Sequence, residues 1–147
     1  MKTLRLLTMV PTAFAMSLVF AQTNLAQTPT TQINRNLQPD PLILKGKSGG
    51  TVKSNCGNIT TEPNQVIQVT ESLPYLRLTV ESEGKPTLLI DGPGGRFCVM
   101  ADKYSGSKPE LSGFWQPGTY SVYVGELDEG LQAKSSYALS ISQQTNK

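Results

Sequence analysis

Hydrophobic and polar positions alternate along most of this chain. In YLRLTVES (75–82), Leu76, Leu78 and Val80 share one face while Arg77, Thr79 and Glu81 share the other, the two-residue period of a strand with one buried side. QVIQVT (65–70) alternates in the same way. TYSVYVG (119–125) points Tyr120, Val122 and Val124 one way, and YALSIS (137–142) does so with Tyr137, Leu139 and Ile141. TLLID (87–91) is apolar on both faces, as a central strand is. LILKGK (42–47) reads as a first strand ending at Ser48-Gly49-Gly50, with residues 51–55 as its hairpin partner. Gly92-Pro93-Gly94-Gly95 is the strongest turn signal, since Pro fixes φ and glycines tolerate positive values. RFCVM follows it, so a hairpin is expected, then a polar loop over 101–113 and an acidic loop from Glu126 to Gly130. No stretch carries a helical stripe. About seven to nine short strands separated by turns predict an all-β fold, an antiparallel β-sandwich of jelly-roll type.

The ends differ in character. Residues 1–21 read as a secretory signal peptide: Lys2 and Arg5 make a basic start, Leu6 to Phe20 an apolar segment, and Val19-Phe20-Ala21 supplies small residues for cleavage. Thr8, Pro11, Thr12 and Ser17 interrupt that segment, against a membrane span of about 20 apolar residues. Residues 22–40 are rich in Gln, Thr, Asn and Pro and read as a flexible leader. The domain is expected over 41–142 and a polar tail over 143–147.

Charge and cysteine content narrow the function. Lys2 and Arg5 are two of 13 basic residues, and none of the 11 acidic residues precedes residue 22, leaving 11 of each in the exported chain. A nucleic-acid partner normally requires concentrated Lys and Arg, so none is expected. Cys56 and Cys98 are the only cysteines. In a chain that leaves the reducing cytosol they predict one disulfide.

The chain has no histidine, which removes Ser-His-Asp triads, Cys-His pairs and histidine-ligated zinc. No catalytic residue is assigned. Carboxylates remain, and Asp91, Asp102, Glu110 and Asp128 are the acids a glycosidase-type pair would draw on, but their spacing selects no two of them. Asp91, Asp102 and Glu110 are also the candidate oxygen ligands for Ca²⁺, the one cofactor considered, with an ordinary solvated loop as the alternative. Tyr104, Phe114 and Trp115 are the candidate ligand-binding residues, an aromatic platform for a sugar ring or a peptide. The alternative is that Trp115 covers one end of the core.

PTLLIDGPGGRFC (86–98), PELSGFWQPGTYSVYVG (109–125) and YALSIS together resemble the β-sandwich of bacterial pre-peptidase C-terminal domains, and small exported cyanobacterial proteins built on that module, over roughly 40–142. The resemblance implies a non-catalytic appendage concerned with secretion, adhesion or stability. Some related sandwiches bind calcium through paired acids after the hairpin, where this chain offers Asp102 alone. The expected function is an exported, non-catalytic binding or accessory module for an extracellular or envelope polysaccharide or protein. A structural envelope protein and a carboxylate-dependent hydrolase are the alternatives.

Overall fold

A computed structural model describes residues 27–101, 106, 108–128 and 134–145. The expected signal segment, Asp102 and Tyr104 lie outside the described residues. Among the described residues there are eleven strands in two sheets and no helix. The chain is therefore the all-β sandwich that its alternation predicts.

The first sheet runs β1 (Thr30–Ile33), β5 (Gln65–Val69), β10 (Gly118–Glu126), β7 (Pro86–Gly92) and β8 (Gly95–Met100). A short hairpin of β3 (Val52–Ser54) and β4 (Gly57–Ile59) attaches to the end of β10 at Glu126. The second sheet has the order β2 (Leu42–Lys47), β11 (Ser136–Ser142), β6 (Leu73–Ser82) and β9 (Glu110–Trp115), antiparallel throughout. Residues that alternate in the sequence meet between the sheets: Leu76, Leu78 and Val80 from β6, Leu139 and Ile141 from β11, Val122 and Val124 from β10 and Ile67 from β5 are all fully buried. Each such side chain stabilises the sandwich by about 1.5–3 kcal/mol relative to exposure.

Four expectations are corrected. Residues 22–40 are not a leader throughout, because Thr30–Ile33 pairs in parallel with β5 and buries Ile33, and Leu37 joins the same core. An edge strand paired to a distant segment leaves only isolated apolar residues in the sequence. Residues 51–55 do not pair with β2; Val52–Ser54 pairs with Gly57–Ile59 instead. The loop expected over 101–113 ends early, because Glu110–Trp115 is a strand on β6. Glu126 is not part of a solvated loop: it is 1% exposed. Its carboxylate accepts from the Lys85 N–H at 2.6 Å and from the Ser48 hydroxyl at 3.3 Å. That network ties three chain segments together where β10 ends. The tail is anchored at its start, where the Gln143 N–H donates to Asp40 Oδ2 at 3.1 Å.

Cys56 and Cys98 form the expected disulfide, with Cα atoms 5.7 Å apart. Cys56 is fully buried over the outer side of the first sheet, with Ile59, Leu89 and Tyr123, and its carbonyl accepts from the Thr87 hydroxyl at 2.5 Å. Cys98 lies on β8, whose residues are mostly exposed. The bridge thus fastens an edge strand to a buried anchor.

Candidate functional site

β8 pairs only with β7, and β9 only with β6, among the described residues. Both are edge strands, on the same side of the sandwich, and a cleft of about 380 Å³ opens between them. Its construction starts at the Gly92–Gly95 turn. Pairing of Ile90 with Phe97 and of Leu88 with Val99 places these side chains on the face that looks toward the second sheet, because directly opposed residues of an antiparallel pair share a face. Ile90 is buried there, but Phe97 remains 46% exposed because little of β9 covers it.

The opposite wall comes from β9 and the corner into β10. Trp115 is 5% exposed. Its indole N–H donates to the Leu76 carbonyl at 3.2 Å, and its ring lies 4.6 Å from Tyr120 at an interplanar angle of 53°, a tilted aromatic pair. The Tyr120 hydroxyl donates to the Gln116 carbonyl at 2.8 Å, and burial pushes its pKa up. The corner is tight because Gly92 and Gly118 lack side chains: a Cβ at Gly92 would collide with the Tyr120 ring, and one at Gly118 with Pro93. Trp115 and Tyr120 are therefore packed wall, and the exposed rim consists of Phe97 and Phe114, the latter 67% exposed. Between them the backbone of Gly113, at φ 145°, has no neighbour near its Cα face. A glycine inside a strand often marks a bulge, and the β6–β9 register shifts between Leu73 and Leu76, opposite Trp115 and Gly113.

Among the described residues no charged side chain lines this cleft. The ion pair of Arg96 with Asp91, at 2.8 Å, sits on the outer face of the first sheet with both side chains exposed, where such pairs contribute roughly 0–1 kcal/mol.

The three aromatic candidates divide. Phe114 and Trp115 meet at the cleft, but Trp115 offers no open face for stacking, and Tyr104 is outside the described residues. Phe97, which sequence reasoning missed, takes the exposed position instead. The signal for it was present: a hairpin strand followed by a long polar stretch has a neighbour on one side only. Of the candidate calcium acids, Asp102 is outside the described residues, and Asp91 and Glu110 lie on different sheets. Asp91 engages Arg96 on one sheet, while Glu110 pairs with Thr79 on the other and accepts its hydroxyl at 3.1 Å. Among the described residues no three His, Cys, Asp or Glu side chains gather as a metal site. No helix among them is long and apolar enough to cross a membrane.

No model of a known protein family matches the chain. Over 93 residues, spanning 60% of this chain and 68% of the other, it is 41% identical to the uncharacterized protein Synpcc7942_2126 of Synechococcus elongatus. Among solved structures it is similar to the pre-peptidase C-terminal domain of a collagenase from Bacillus anthracis, with a TM-score of 0.50 and 18% identity, covering 81% of this chain and all of that domain. The periplasmic g-type lysozyme inhibitor PliG of Aeromonas hydrophila overlays with a TM-score of 0.43 at 12% identity, over 77% of this chain and 96% of the inhibitor.

Proposed function

This chain belongs to the family of the Synechococcus elongatus protein Synpcc7942_2126 and has the pre-peptidase C-terminal fold, and we propose that it is an exported, non-catalytic module that holds a protein partner at the cleft between β8 and β9. Export is supported by the disulfide, which persists in oxidising compartments. The observation that carries the binding reading is the pair of exposed phenylalanines, Phe97 and Phe114, flanking a cleft that, among the described residues, has no charged lining and lies between two strand edges without a second strand neighbour.

Magnitudes favour a polypeptide over a small ring. Covering the exposed parts of two phenyl side chains removes about 200 Å² from water, or about 5 kcal/mol gross at 25 cal/mol per Å². Association costs about 4–15 kcal/mol in lost freedom and ordering. A free sugar or aromatic ring held by the cleft alone is therefore bound weakly. An extended segment adds main-chain hydrogen bonds to the open edge of β8 or β9 while its side chains fill alternate pockets.

Peptides selected from a random library on the immobilised domain test this. The sole tryptophan, Trp115, lines the cleft and reports occupancy by its emission. Selected peptides should carry alternating bulky apolar residues, shift Trp115 emission, and lose at least tenfold in affinity for Phe97→Ala/Phe114→Ala, whose melting temperature stays within a few degrees of the parent. Peptides that bind the double variant equally well would remove the cleft from consideration.

A further inference from the structure

We infer that a second site, on the outer face of the four-stranded sheet, binds an anionic polysaccharide. A trough of about 960 Å³ crosses β2, β11 and β6 there, and its charged lining is four lysines, Lys45, Lys47, Lys108 and Lys134, against Glu81 and Glu83. Strand register explains the assembly. Lys45 lies beside Ala138, which lies beside Glu81, and Lys47 lies beside Ser136. The small side chains of β11 make the floor, and the long lysines of β2 make one bank. The opposite bank is Lys108, whose ammonium lies 2.6 Å from Glu81.

The acids do not cancel the basic character. Glu81 is engaged by Lys108, and Lys47 donates to the Ser136 hydroxyl at 2.7 Å. Lys45 and Lys134 enter none of the ion pairs among the described residues. Glu83 offsets one further lysine, so four lysines against two glutamates leave an excess of two positive charges in the trough, in a chain whose residues 22–147 carry equal numbers of both signs. The excess is local, and a local excess is complementary to a polymer bearing separated negative charges.

Other features favour sugar over nucleic acid. Ser82, Ser135 and Ser136 line the trough with hydroxyls. Among the described residues its one aromatic residue is Tyr137, 4% exposed, and a buried ring gives no surface for the base stacking that single-stranded nucleic acids use. This site shares no lining residue with the cleft between β8 and β9, so each stands or falls separately.

The test is affinity electrophoresis and calorimetry with polygalacturonate, a sulfated glycan, neutral dextran and a single-stranded oligonucleotide. Polygalacturonate or the sulfated glycan should bind, and raising salt from about 50 to 500 mM should weaken binding at least tenfold, as screening requires. Lys45→Glu/Lys134→Glu should lose at least tenfold with an unchanged circular dichroism spectrum. Lys53→Glu, exposed on β3 of the other sheet, should stay within twofold, and Phe97→Ala/Phe114→Ala should bind as the parent does. Equal affinity for dextran, tighter binding of the oligonucleotide, no binding of either anionic glycan at low salt, or equal damage from Lys53→Glu would each overturn the inference.

Discussion

Cys98→Ser breaks the only disulfide at an exposed position, so it removes the cross-link without hollowing the buried cluster around Cys56. The bridge spans 42 residues. In the chain-entropy model a loop of that length contributes about 4 kcal/mol at 25 °C. Unfolding a domain of roughly 120 residues carries an entropy of about 0.25 kcal/mol/K near 60 °C, so the midpoint should fall by about 16 °C. The loss should be concentrated in β8, which among the described residues has β7 as its sole strand neighbour and has the bridge as a second restraint. Amide hydrogen exchange should therefore quicken first at residues 96–100, while β6 and β11 keep their protection. The assay is urea unfolding of parent and variant, with exchange read by mass spectrometry on peptides from each sheet. A loss below about 1 kcal/mol would refute the reasoning, as would uniform loss of protection, because either result means that the unfolded chain or β8 was already restrained in another way. Since β8 forms one wall of the Phe97 cleft, the same variant should bind the selected peptides more weakly than its stability alone requires.

Two further predictions concern buried polar groups. Glu126→Leu orphans the Lys85 N–H, which the carboxylate accepts at 2.6 Å, and should cost about 1–3 kcal/mol in urea unfolding; Glu126→Gln keeps an acceptor and should cost less than half as much, and equal losses would mean that the charge, not the hydrogen bond, matters. Burial raises the pKa values of Tyr137 and Tyr120 above the ordinary 10.0, so the folded state holds these protons more tightly, and the stability they contribute is fully present below about pH 10 and is lost as pH rises through the folded values. Melting curves at stepwise increasing alkaline pH should therefore fall less steeply in Tyr137→Phe than in the parent, and identical slopes would assign the alkaline loss to other groups.

How much of the sandwich is legible in the sequence depends on how each strand is buried. β5, β6, β10 and β11 are covered on one face by the opposite sheet and flanked by strands on both sides, so their alternation is clean and their inward residues can be read directly. β7 is buried on both faces because the segment around Cys56 covers its outer side, and it reads as a continuous apolar run. β1 and β9 lie on edges. Only half their width is packed, and β9 places Gly113 at an inward position between Leu111 and Trp115, which erases the alternation. Glu126 was misread for a different reason: a buried carboxylate is set by its partners, Lys85 and Ser48, and neither lies near it in sequence.

The candidate sites follow the same physics. Aromatic residues near Trp115 drew attention because they cluster in sequence, yet clustering says nothing about which ring is covered. Trp115 and Tyr120 turn a corner between sheets and are consumed by it, whereas Phe97 is left open by being on a strand with a single neighbour. Exposure of a large apolar side chain is thus a property of topology, and it appears where a sheet ends. The lysine trough is equally topological. Lys45, Lys108 and Lys134 are scattered along the chain, and the pairing of β2 with β11, β11 with β6 and β6 with β9 brings Lys45 and the segments that lead into β9 and β11 to one face. For a fold whose interior is written in two-residue alternation, the edges and outer faces carry the information that alternation does not constrain, and there this chain places uncharged rings on the facing edges of its two sheets and cations across the back of the four-stranded one.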